Sequence, residues 1–596
     1  LRVNLTTGEL KKELTPAKIR KDYIGGRGLG ARILWDEVPA GADPLGPENK
    51  LIITTGPLAG LYIPGASKTT FVSKSPATGG YGDSSVGGHL ASELKYAALD
   101  AIVIEGSSEK PVYLYINDDK IELRDAMEYL NCGCLETEQK LRAELGSDFQ
   151  VATIGPAGEN MVKYASINHD YGRQAGRTGM GAIMGSKNLK AICIKGTNSP
   201  EVADMDKLVE VIRLMYKKTE ELGIENWQEY GTPEVVEFSD SIGTLPTRNF
   251  SEGVYESSNK INATTMKEKL TKNSKACTSC SLACGKYAYS SRYDVYIEGP
   301  EYETLVLLGS NCGLSDIDDV LYANYLCDDL GMDTISAGNV IGFVMDCFER
   351  GLIDKKSFEF EIKFGEAEKI FELLKMIAAR EGVGKLLSKG VKEVAAAFGP
   401  ETHKYAMEIK GLEISGYETR NSTAMLLAYM TSEIGATHTK AFMIPLDQEM
   451  GPGEINTKKV KAVIDTQHSD PVLDCLGGCH FQEALDLDLY SEALTAATGQ
   501  DYTAKDLKKV GERVWNLTRL FLKREESDFD RSWDLPPARY AEEKLTKGPG
   551  EGRSVSLEDQ NKLLDIYYEL RGWDEKGIPT REKLQELGLE KEIEVL

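Results

Sequence analysis

Three cysteines within eight residues constrain this chain more than any other feature of its sequence. Cys277, Cys280 and Cys284 follow the spacing C-x2-C-x3-C, between Lys275 and Gly285. Closely spaced thiolates are soft ligands that suit zinc or an iron–sulfur cluster, and a cubane cluster takes four cysteine ligands. The sequence therefore predicts a metal centre whose fourth sulfur comes from another part of the chain.

Length and composition narrow the class of protein. The 596 residues, 41% hydrophobic and 28% charged, are typical of a globular protein with several domains. No run of about 18 apolar residues predicts a membrane span. The net charge of −24 argues against binding to a nucleic-acid backbone. Eleven cysteines, with no apolar secretion signal in the opening residues, lead us to expect a cytoplasmic location.

The pattern of elements changes near residue 202. Before it, β-branched segments separated by Gly, Pro, Asn and Asp turns predict strands at residues 51–55, 69–73, 101–105, 112–116 and 191–194. After it, 3.6-residue apolar spacing predicts helices at 205–222, 304–309, 317–330, 335–350, 367–381, 383–398 and 557–570. We therefore expect an α+β multidomain fold, with a β-rich domain over 1–201 and two mainly α-helical domains over 202–415 and 416–596.

Three glycine-rich turns lie in the β-rich region, at 25–30, 79–88 and 172–181. None fits a dinucleotide-binding fingerprint or a P-loop. Glycine lets backbone N–H groups approach an anion, and Arg27, Arg173 and Arg177 supply charge beside the turns. Ordinary tight turns explain any single one equally well, but three in one domain favour a phosphate-bearing ligand.

Two hexamers in the helical region share the pattern D-x-x-G-x-[D/C]. The first runs from Asp328 to Asp333 and the second from Asp474 to Cys479. A carboxylate accepts two hydrogen bonds side by side, which matches the donor edge of a pterin ring. Each hexamer alone also fits a helix end with its glycine cap. The second copy makes Cys479 the candidate fourth ligand, with Cys475 as the alternative.

A set of motifs along nearly the whole chain occurs together in one known family. These are Gly26-Arg-Gly-Leu-Gly30, Thr55-Gly-Pro-Leu58, Lys74-Ser-Pro76, Gly87-Gly88 with Glu93-Leu-Lys95, Gly179-Met-Gly-Ala-Ile-Met-Gly-Ser-Lys-Asn188, the cysteine motif, Gly299-Pro-Glu-Tyr-Glu303, both D-x-x-G hexamers and Arg571-Gly-Trp573. Through them the chain resembles the tungsten-dependent aldehyde:ferredoxin oxidoreductase family. The resemblance implies two pyranopterins that hold one tungsten, cradled by the β-rich domain, and a [4Fe–4S] cluster beside one pterin.

The resemblance also implies roles for individual residues. The positions that match the four cluster ligands are Cys277, Cys280, Cys284 and Cys479. The positions that match cofactor-binding residues are Lys68, Ser85, Gly87, Ala175, Arg177, Asp328, Asp333, Lys440 and Asp474. Backbone carbonyls at Ser85 and Ala175 would hold a Mg²⁺ that links the pterin phosphates.

The chain departs from the family pattern at three points. Lys68 stands where many members have an arginine that bridges cluster and pterin, and lysine keeps the charge but not the planar fork. Ser85 stands where many members have asparagine. None of the six histidines lies three residues after a glutamate, so the metal site that bridges one family dimer is not expected here, although we expect an oligomer of some kind.

The acid–base candidates follow from the expected chemistry. Aldehyde oxidation needs a proton acceptor and a group that polarises the carbonyl. Glu301, Glu303 and His438 occupy the matching family positions. Glu301 is slightly preferred, but both glutamates flank Tyr302 and the spacing cannot choose between them.

The predicted function is oxidation of a small aldehyde to a carboxylic acid, with electrons passed through the cluster to ferredoxin or a ferredoxin-like iron–sulfur subunit. Two alternatives stay open. One is the catalytic subunit of a tungsten-type aromatic acyl-CoA reductase, and the other is a non-catalytic iron–sulfur or zinc protein.

Overall fold

Two six-stranded sheets form the framework of the first 195 residues of the computed structural model, which describes residues 1–356 and 358–595. In order across the first sheet, the strands are Glu9–Lys11, Arg2–Asn4, Ala101–Glu105, Leu51–Thr55, Thr69–Lys74 and Tyr81–Val86. Across the second they are Arg173–Ala175, Ile167–His169, Gln150–Thr153, Leu189–Lys195, Val112–Asn117 and Lys120–Asp125. Neighbouring strands pair antiparallel except Arg2–Asn4 with Ala101–Glu105 and Leu189–Lys195 with Val112–Asn117.

The alternation of side chains along the strands explains how these sheets are buried. Leu51 and Ile53 face an apolar core that also holds Leu114 and Ile192 from the second sheet, so the two sheets pack against each other. Ile52, between them, belongs to a second core shared with C-terminal helices. The first sheet is therefore covered on both faces. The helices of this region are Ala17–Tyr23, Gly26–Glu37, Leu90–Tyr96, Cys134–Leu145, Pro156–Glu159 and Met180–Ser186.

Helices dominate the rest of the chain. Up to residue 398 they are Met205–Leu222, Glu225–Glu229, Val235–Ser241, Ala263–Lys269, Tyr302–Thr304, the π-helix Leu305–Gly309, Ile317–Leu330, Thr334–Glu349, Ala367–Ala379, Gly384–Leu387 and Val391–Phe398. Beyond it they are Thr423–Thr431, Ile444–Met450, Thr457–Leu476, Leu487–Thr498, Ala504–Glu525, Arg539–Glu542, Leu557–Arg571 and Arg581–Leu587. Among the described residues, we find no helix with the length and apolar character needed to cross a membrane.

The predicted fold class is confirmed: a β-rich first part precedes a mainly helical remainder. The prediction of a continuous helix over 383–398 is wrong, because Gly390 takes a φ of +91° and separates two shorter helices. A three-stranded sheet, which sequence patterns did not indicate, interrupts the helical part at Thr271–Lys275, Gly285–Ser290 and Val295–Glu298. The division of the helical part at residue 415 stays a prediction.

Candidate active site

The three clustered cysteines occupy the loop of a β-hairpin. Lys275 pairs with Gly285 at the base of this loop. Thr278 anchors the loop to the β-rich part, since its N–H and its hydroxyl both donate to the carbonyl of Gly88, at 3.1 and 3.0 Å. All eleven cysteines are free thiols.

Cys479 joins the hairpin from the far end of the chain. The helix Thr457–Leu476 ends at Gly477, and Gln482, three residues beyond Cys479, donates a hydrogen bond to the Cys280 sulfur at 3.6 Å. Cys475 instead lies buried against Gly28, where an added Cβ would come within 2.9 Å of its sulfur. The structure therefore brings Cys479, rather than Cys475, to the clustered cysteines.

Two cations lie among the four thiols. Burial lowers the pKa of Lys68, but the thiolates of Cys479, Cys277 and Cys284 more than offset this, so its pKa is raised overall. A Cβ added to Gly87 would lie 2.7 Å from the Cys277 sulfur and 3.7 Å from both Lys68 Nζ and Arg173 Nη1. Because Gly87 has no side chain, the Cys277 sulfur can lie this close to the backbone at that position.

The surroundings of the thiols fit an iron–sulfur cluster. Among the described residues, no three His, Cys, Asp or Glu side chains group closely enough to hold a single metal ion. Cubane ligands are spaced more widely, because each thiolate binds a different iron atom. Arg173 also has buried Nε and Nη2 atoms without a hydrogen-bond partner, although Nη2 lies 2.8 Å from Glu298. Such N–H groups suit the sulfur atoms of an anionic cluster.

The second D-x-x-G hexamer carries a buried chain of charges. Lys440 Nζ lies 2.8 Å from Asp474 and 2.9 Å from Asp83, and Arg27 Nε lies 2.5 Å from Asp83. His480 Nε2 lies 3.1 Å from the other oxygen of Asp474. Burial opposes the ionised form, but Lys440 and His480 hold the pKa of Asp474 well below its usual range. Asp474 and Lys440 therefore form one polar unit in the site.

Both carboxyl groups of the first hexamer already have partners within the protein. Asp328 is buried and accepts hydrogen bonds from Gln174 at 2.7 Å and Asn324 at 3.0 Å, while burial raises its pKa well above its usual range. Asp333 caps the helix Thr334–Glu349 and lies 3.3 Å from Arg177 Nε. In each hexamer a helix ends at a glycine with positive φ, Gly331 in the first and Gly477 in the second. Both hexamers therefore act as helix caps, and this is compatible with a role in ligand binding.

The first glycine-rich turn packs against the second hexamer. A Cβ at Gly26 would lie 2.0 Å from the carbonyl oxygen of Asp474, and one at Gly56 would lie 1.9 Å from the carbonyl carbon of Leu476. Arg27 is fully buried and pairs with Asp83 and Glu433. Residues 26–30 form the start of the helix Gly26–Glu37, and protein backbone and carboxylates lie beside them, so the structural interpretation of this segment, which the sequence left open, accounts for its glycines.

Ser85 and Ala175 lie on edge strands of the two different sheets. Ser85 belongs to Tyr81–Val86, and its hydroxyl is 3.0 Å from that of Thr70. Ala175 ends the strand Arg173–Ala175 and is completely buried. Residues close to these two link the sheets, since the N–H of Arg177 donates a hydrogen bond to Ser84 Oγ at 3.1 Å.

The structure distinguishes the two glutamates of the Pro-Glu-Tyr-Glu segment. Glu303 Oε1 lies 3.0 Å from His438 Nδ1, and its other oxygen accepts the N–H of Gly416 at 2.7 Å. Glu301 instead accepts a hydrogen bond from Thr232 and lies toward Cys284 and Arg173. The slight sequence preference for Glu301 therefore has no support in the geometry.

Burial sets the protonation states of the Glu303–His438 pair. It raises the pKa of Glu303 from 4.5 to about 7 and lowers that of His438 from 6.5 to about 3. A neutral histidine beside a carboxyl group that titrates near neutral pH is suited to proton transfer. Glu303 Oε1 and His438 Nδ1 have no hydrogen-bond partner of suitable geometry within the protein, so both can serve a reacting molecule.

Two neighbours of this site carried only weak sequence signals. Tyr417 stacks on Tyr302 at 4.9 Å and stands edge-on to His438 at 5.9 Å. Its sequence position fits helix packing equally well. Arg420 is buried and donates hydrogen bonds to Glu418. The sequence identified Arg173 only as a positive charge beside a glycine-rich turn and did not predict its position beside the clustered thiols.

Comparison with known proteins agrees with this architecture. Residues 1–196 match the family model described as aldehyde ferredoxin oxidoreductase, N-terminal domain, and residues 208–589 match the model for its domains 2 and 3. Tungsten-containing aldehyde ferredoxin oxidoreductases from Thermococcus kodakarensis and Pyrococcus furiosus are 39% identical over 99% of this chain and 98% of theirs.

Two further proteins match the chain over nearly its whole length at lower identity. The aliphatic sulfonate oxidoreductase, WOR-like subunit, of Pyrococcus furiosus is 32% identical over 99% of this chain and 96% of its own. The active site complex BamBC of benzoyl coenzyme A reductase, solved with 1,5-dienoyl-CoA, superimposes with a TM-score of 0.86 at 28% identity, over 99% of this chain and 96% of that one. With two family models covering most of its length, the chain belongs to the aldehyde ferredoxin oxidoreductase family.

Proposed function

We propose that this protein oxidises an aldehyde to a carboxylic acid and passes the two electrons to ferredoxin or a ferredoxin-like subunit. The partly buried Glu303–His438 pair carries the proposal, because it provides a proton acceptor next to a neutral histidine. The full-length identity of 39% to tungsten-containing aldehyde ferredoxin oxidoreductases supports the same reaction.

The residues around the pair would hold the cofactors. Cys277, Cys280, Cys284 and Cys479 would bind a [4Fe–4S] cluster, with Lys68, Gly87 and Arg173 beside it. Asp474 with Lys440, and Asp328 and Asp333 with Arg177, would bind two pyranopterins. Backbone carbonyls at Ser85 and Ala175, where the two sheets meet, would hold Mg²⁺. When bound, the tungsten–pterin group supplies the two-electron redox chemistry and Lewis acidity that protein side chains lack.

The protein's own groups account for the protons. Conversion of an aldehyde and water to a carboxylic acid releases two protons and two electrons. Glu303, once ionised, accepts a proton from the attacking water or its equivalent, while neutral His438 orients the carbonyl oxygen. The N–H of Gly416 holds the Glu303 carboxyl group in place at 2.7 Å.

Metal analysis and turnover test this proposal together. Protein purified without oxygen should contain tungsten and about four iron atoms per chain, the content of one cubane. It should also reduce a viologen dye when given an aldehyde. Zinc without iron would favour the non-catalytic alternative, and tungsten without aldehyde oxidation would rule out the proposed reaction.

A second candidate is reduction of an aromatic acyl-CoA. The structural match to the benzoyl coenzyme A reductase complex favours it, although at 28% identity, against 39% for the aldehyde enzymes. Dienoyl-CoA oxidation, assayed with the same dye, separates the two. Activity with dienoyl-CoA and none with any aldehyde would replace the first proposal with the second.

A further inference from the structure

We propose that the site selects uncharged aromatic aldehydes and that Phe442 is a specificity-determining residue at its entrance; this inference rests on the proposed aldehyde oxidation. Three rings form a row that leads away from the acid–base pair. Tyr302 stacks on Tyr417 with ring centroids 4.9 Å apart, and Tyr417 lies 5.2 Å from Phe442 at an angle of 55°. Tyr417, the middle ring, also stands edge-on to His438, so the row passes beside the proposed chemistry.

Exposure along this row rises from inside to outside. Tyr302 and Tyr417 are 3% and 4% exposed, whereas Phe442 is 40% exposed and Leu446, in the helix Ile444–Met450 that follows it, is 37% exposed. A single exposed apolar residue is ordinary on a protein surface. Phe442 differs because its ring touches a buried ring that itself contacts His438. A planar substrate that entered past Phe442 would therefore meet aromatic surface until it reached the pair.

The hydroxyl group of the innermost ring is already engaged. Tyr302 donates to the carbonyl oxygen of Gly416 at 2.7 Å and lies 2.9 Å from Ser239 Oγ. The face of its ring, rather than its polar end, is therefore what stacks against Tyr417. Aromatic rings bind one another through offset and edge-to-face contacts, which a saturated ring of similar size cannot reproduce.

The cations near the pair are matched by protein groups. Arg177 lies 3.3 Å from Asp333 and donates to Ser415 Oγ at 2.9 Å and the Glu413 carbonyl at 2.5 Å. Lys440 lies between two carboxylates. A substrate with a carboxylate or phosphate would lose its hydration without gaining a free cation, which is unfavourable. The same aromatic surface accepts a neutral ring readily.

The test compares matched aldehydes on the cofactor-loaded enzyme. Benzaldehyde, cyclohexanecarbaldehyde, acetaldehyde and 4-formylbenzoate separate planarity, size and charge, with viologen reduction as the readout. We expect kcat/KM to be highest for benzaldehyde. The Phe442→Ala variant should lower the ratio of kcat/KM for benzaldehyde to that for acetaldehyde by about tenfold, mainly through KM.

Two further variants distinguish the ring from its bulk and from general effects. Phe442→Leu keeps apolar volume without a ring and should behave like Phe442→Ala. Phe238→Ala removes a phenylalanine with a similar exposure of 38% in the helix Val235–Ser241 and should keep the wild-type ratio. Binding of benzamide, a neutral aromatic compound that is not an aldehyde, gives a calorimetric readout independent of turnover and should weaken with the loss of Phe442.

The possible failures are distinguishable. If the enzyme oxidises aldehydes but prefers cyclohexanecarbaldehyde or 4-formylbenzoate, or if Phe442→Ala leaves the ratio and benzamide binding unchanged, the specificity inference is wrong while the proposed function stands. If no aldehyde is oxidised by protein that contains tungsten and iron, both are wrong.

Discussion

One pKa should control both the activity and part of the stability of this enzyme. Burial raises the pKa of Glu303 from 4.5 to about 7, so its carboxyl group stays neutral in mildly acidic solution. If ionised Glu303 accepts the proton, kcat/KM should rise with pH through about 7. Near pH 6 only about a tenth of the enzyme would carry the ionised group. His438 adds no inflection between pH 5 and 8, because its pKa is lowered to about 3.

Stability should change in the opposite direction. A rise in pKa from 4.5 to about 7 corresponds to about 3 kcal/mol in favour of the neutral carboxyl group. Because the folded protein retains this proton to higher pH than the unfolded chain, the stability that Glu303 contributes is present below pH 4.5 and is lost as the pH rises through about 7. His438 contributes with the opposite sign below pH 6.5, so the difference between variant and wild type isolates Glu303.

The Glu303→Gln variant tests both consequences. It should lose activity by a factor on the order of 100 to 10,000, because a general base is removed while the polar shape is kept. The residual rate should show no inflection near pH 7, and the thermal midpoint relative to wild type should rise between pH 5 and 8. Glu301→Gln is the matched control and should keep the inflection. An inflection that persists in Glu303→Gln, or a loss of activity below about tenfold, would refute the assignment.

Further substitutions test the assembly of the site. Cys479→Ser should lower the iron content, whereas Cys475→Ser should keep it, as measured by iron analysis and electron paramagnetic resonance. Arg173→Gln should lower the reduction potential of the cluster at unchanged iron content, because a positive charge beside the thiolates stabilises the reduced form, and Arg173→Lys should largely retain it. Gly26→Ala should destabilise the protein by about 3 kcal/mol or more, because its Cβ would meet a backbone carbonyl oxygen at 2.0 Å. Gly8→Ala, also at positive φ but with open space around it, should cost only about 1 kcal/mol in thermal or denaturant unfolding.

The fold was predictable where local patterns and tertiary packing agree. The β-branched segments 51–55 and 101–105 form central strands because they are apolar enough for a sheet covered on both faces. The strand Thr271–Lys275 was not predicted, because its sequence Thr-Lys-Asn-Ser-Lys is polar and mostly exposed. Pairing with Gly285–Ser290 forms that strand, and such a partner cannot be identified from local periodicity.

The site was predictable as a set of motifs but not as a geometry. Spacing identified the cysteine motif and the two hexamers, yet it could not choose between residues two to four positions apart, such as Glu301 and Glu303. The direction of each side chain in the folded protein decides between them. The Glu301 carboxyl group accepts a hydrogen bond from Thr232, whereas that of Glu303 lies beside His438. Glycine density at residues 25–30 left two interpretations open, because a missing side chain permits close approach without specifying whether an anion or a peptide group approaches. In the structure the backbone of Asp474 lies against Gly26.

The buried charges explain why the two parts of the chain must fold together around this site. Arg27 and Asp83 come from the β-rich part, whereas Lys440, Asp474 and Glu433 come from the helical part. Removing one partner from such a set leaves an uncompensated buried charge, which typically costs about 3–5 kcal/mol. Folded alone, either part would therefore leave several of these charges without their partners. The polar unit that would bind a pterin forms only when the second hexamer sits on the glycines of the first turn, so cofactor binding should also stabilise the interface between the two parts.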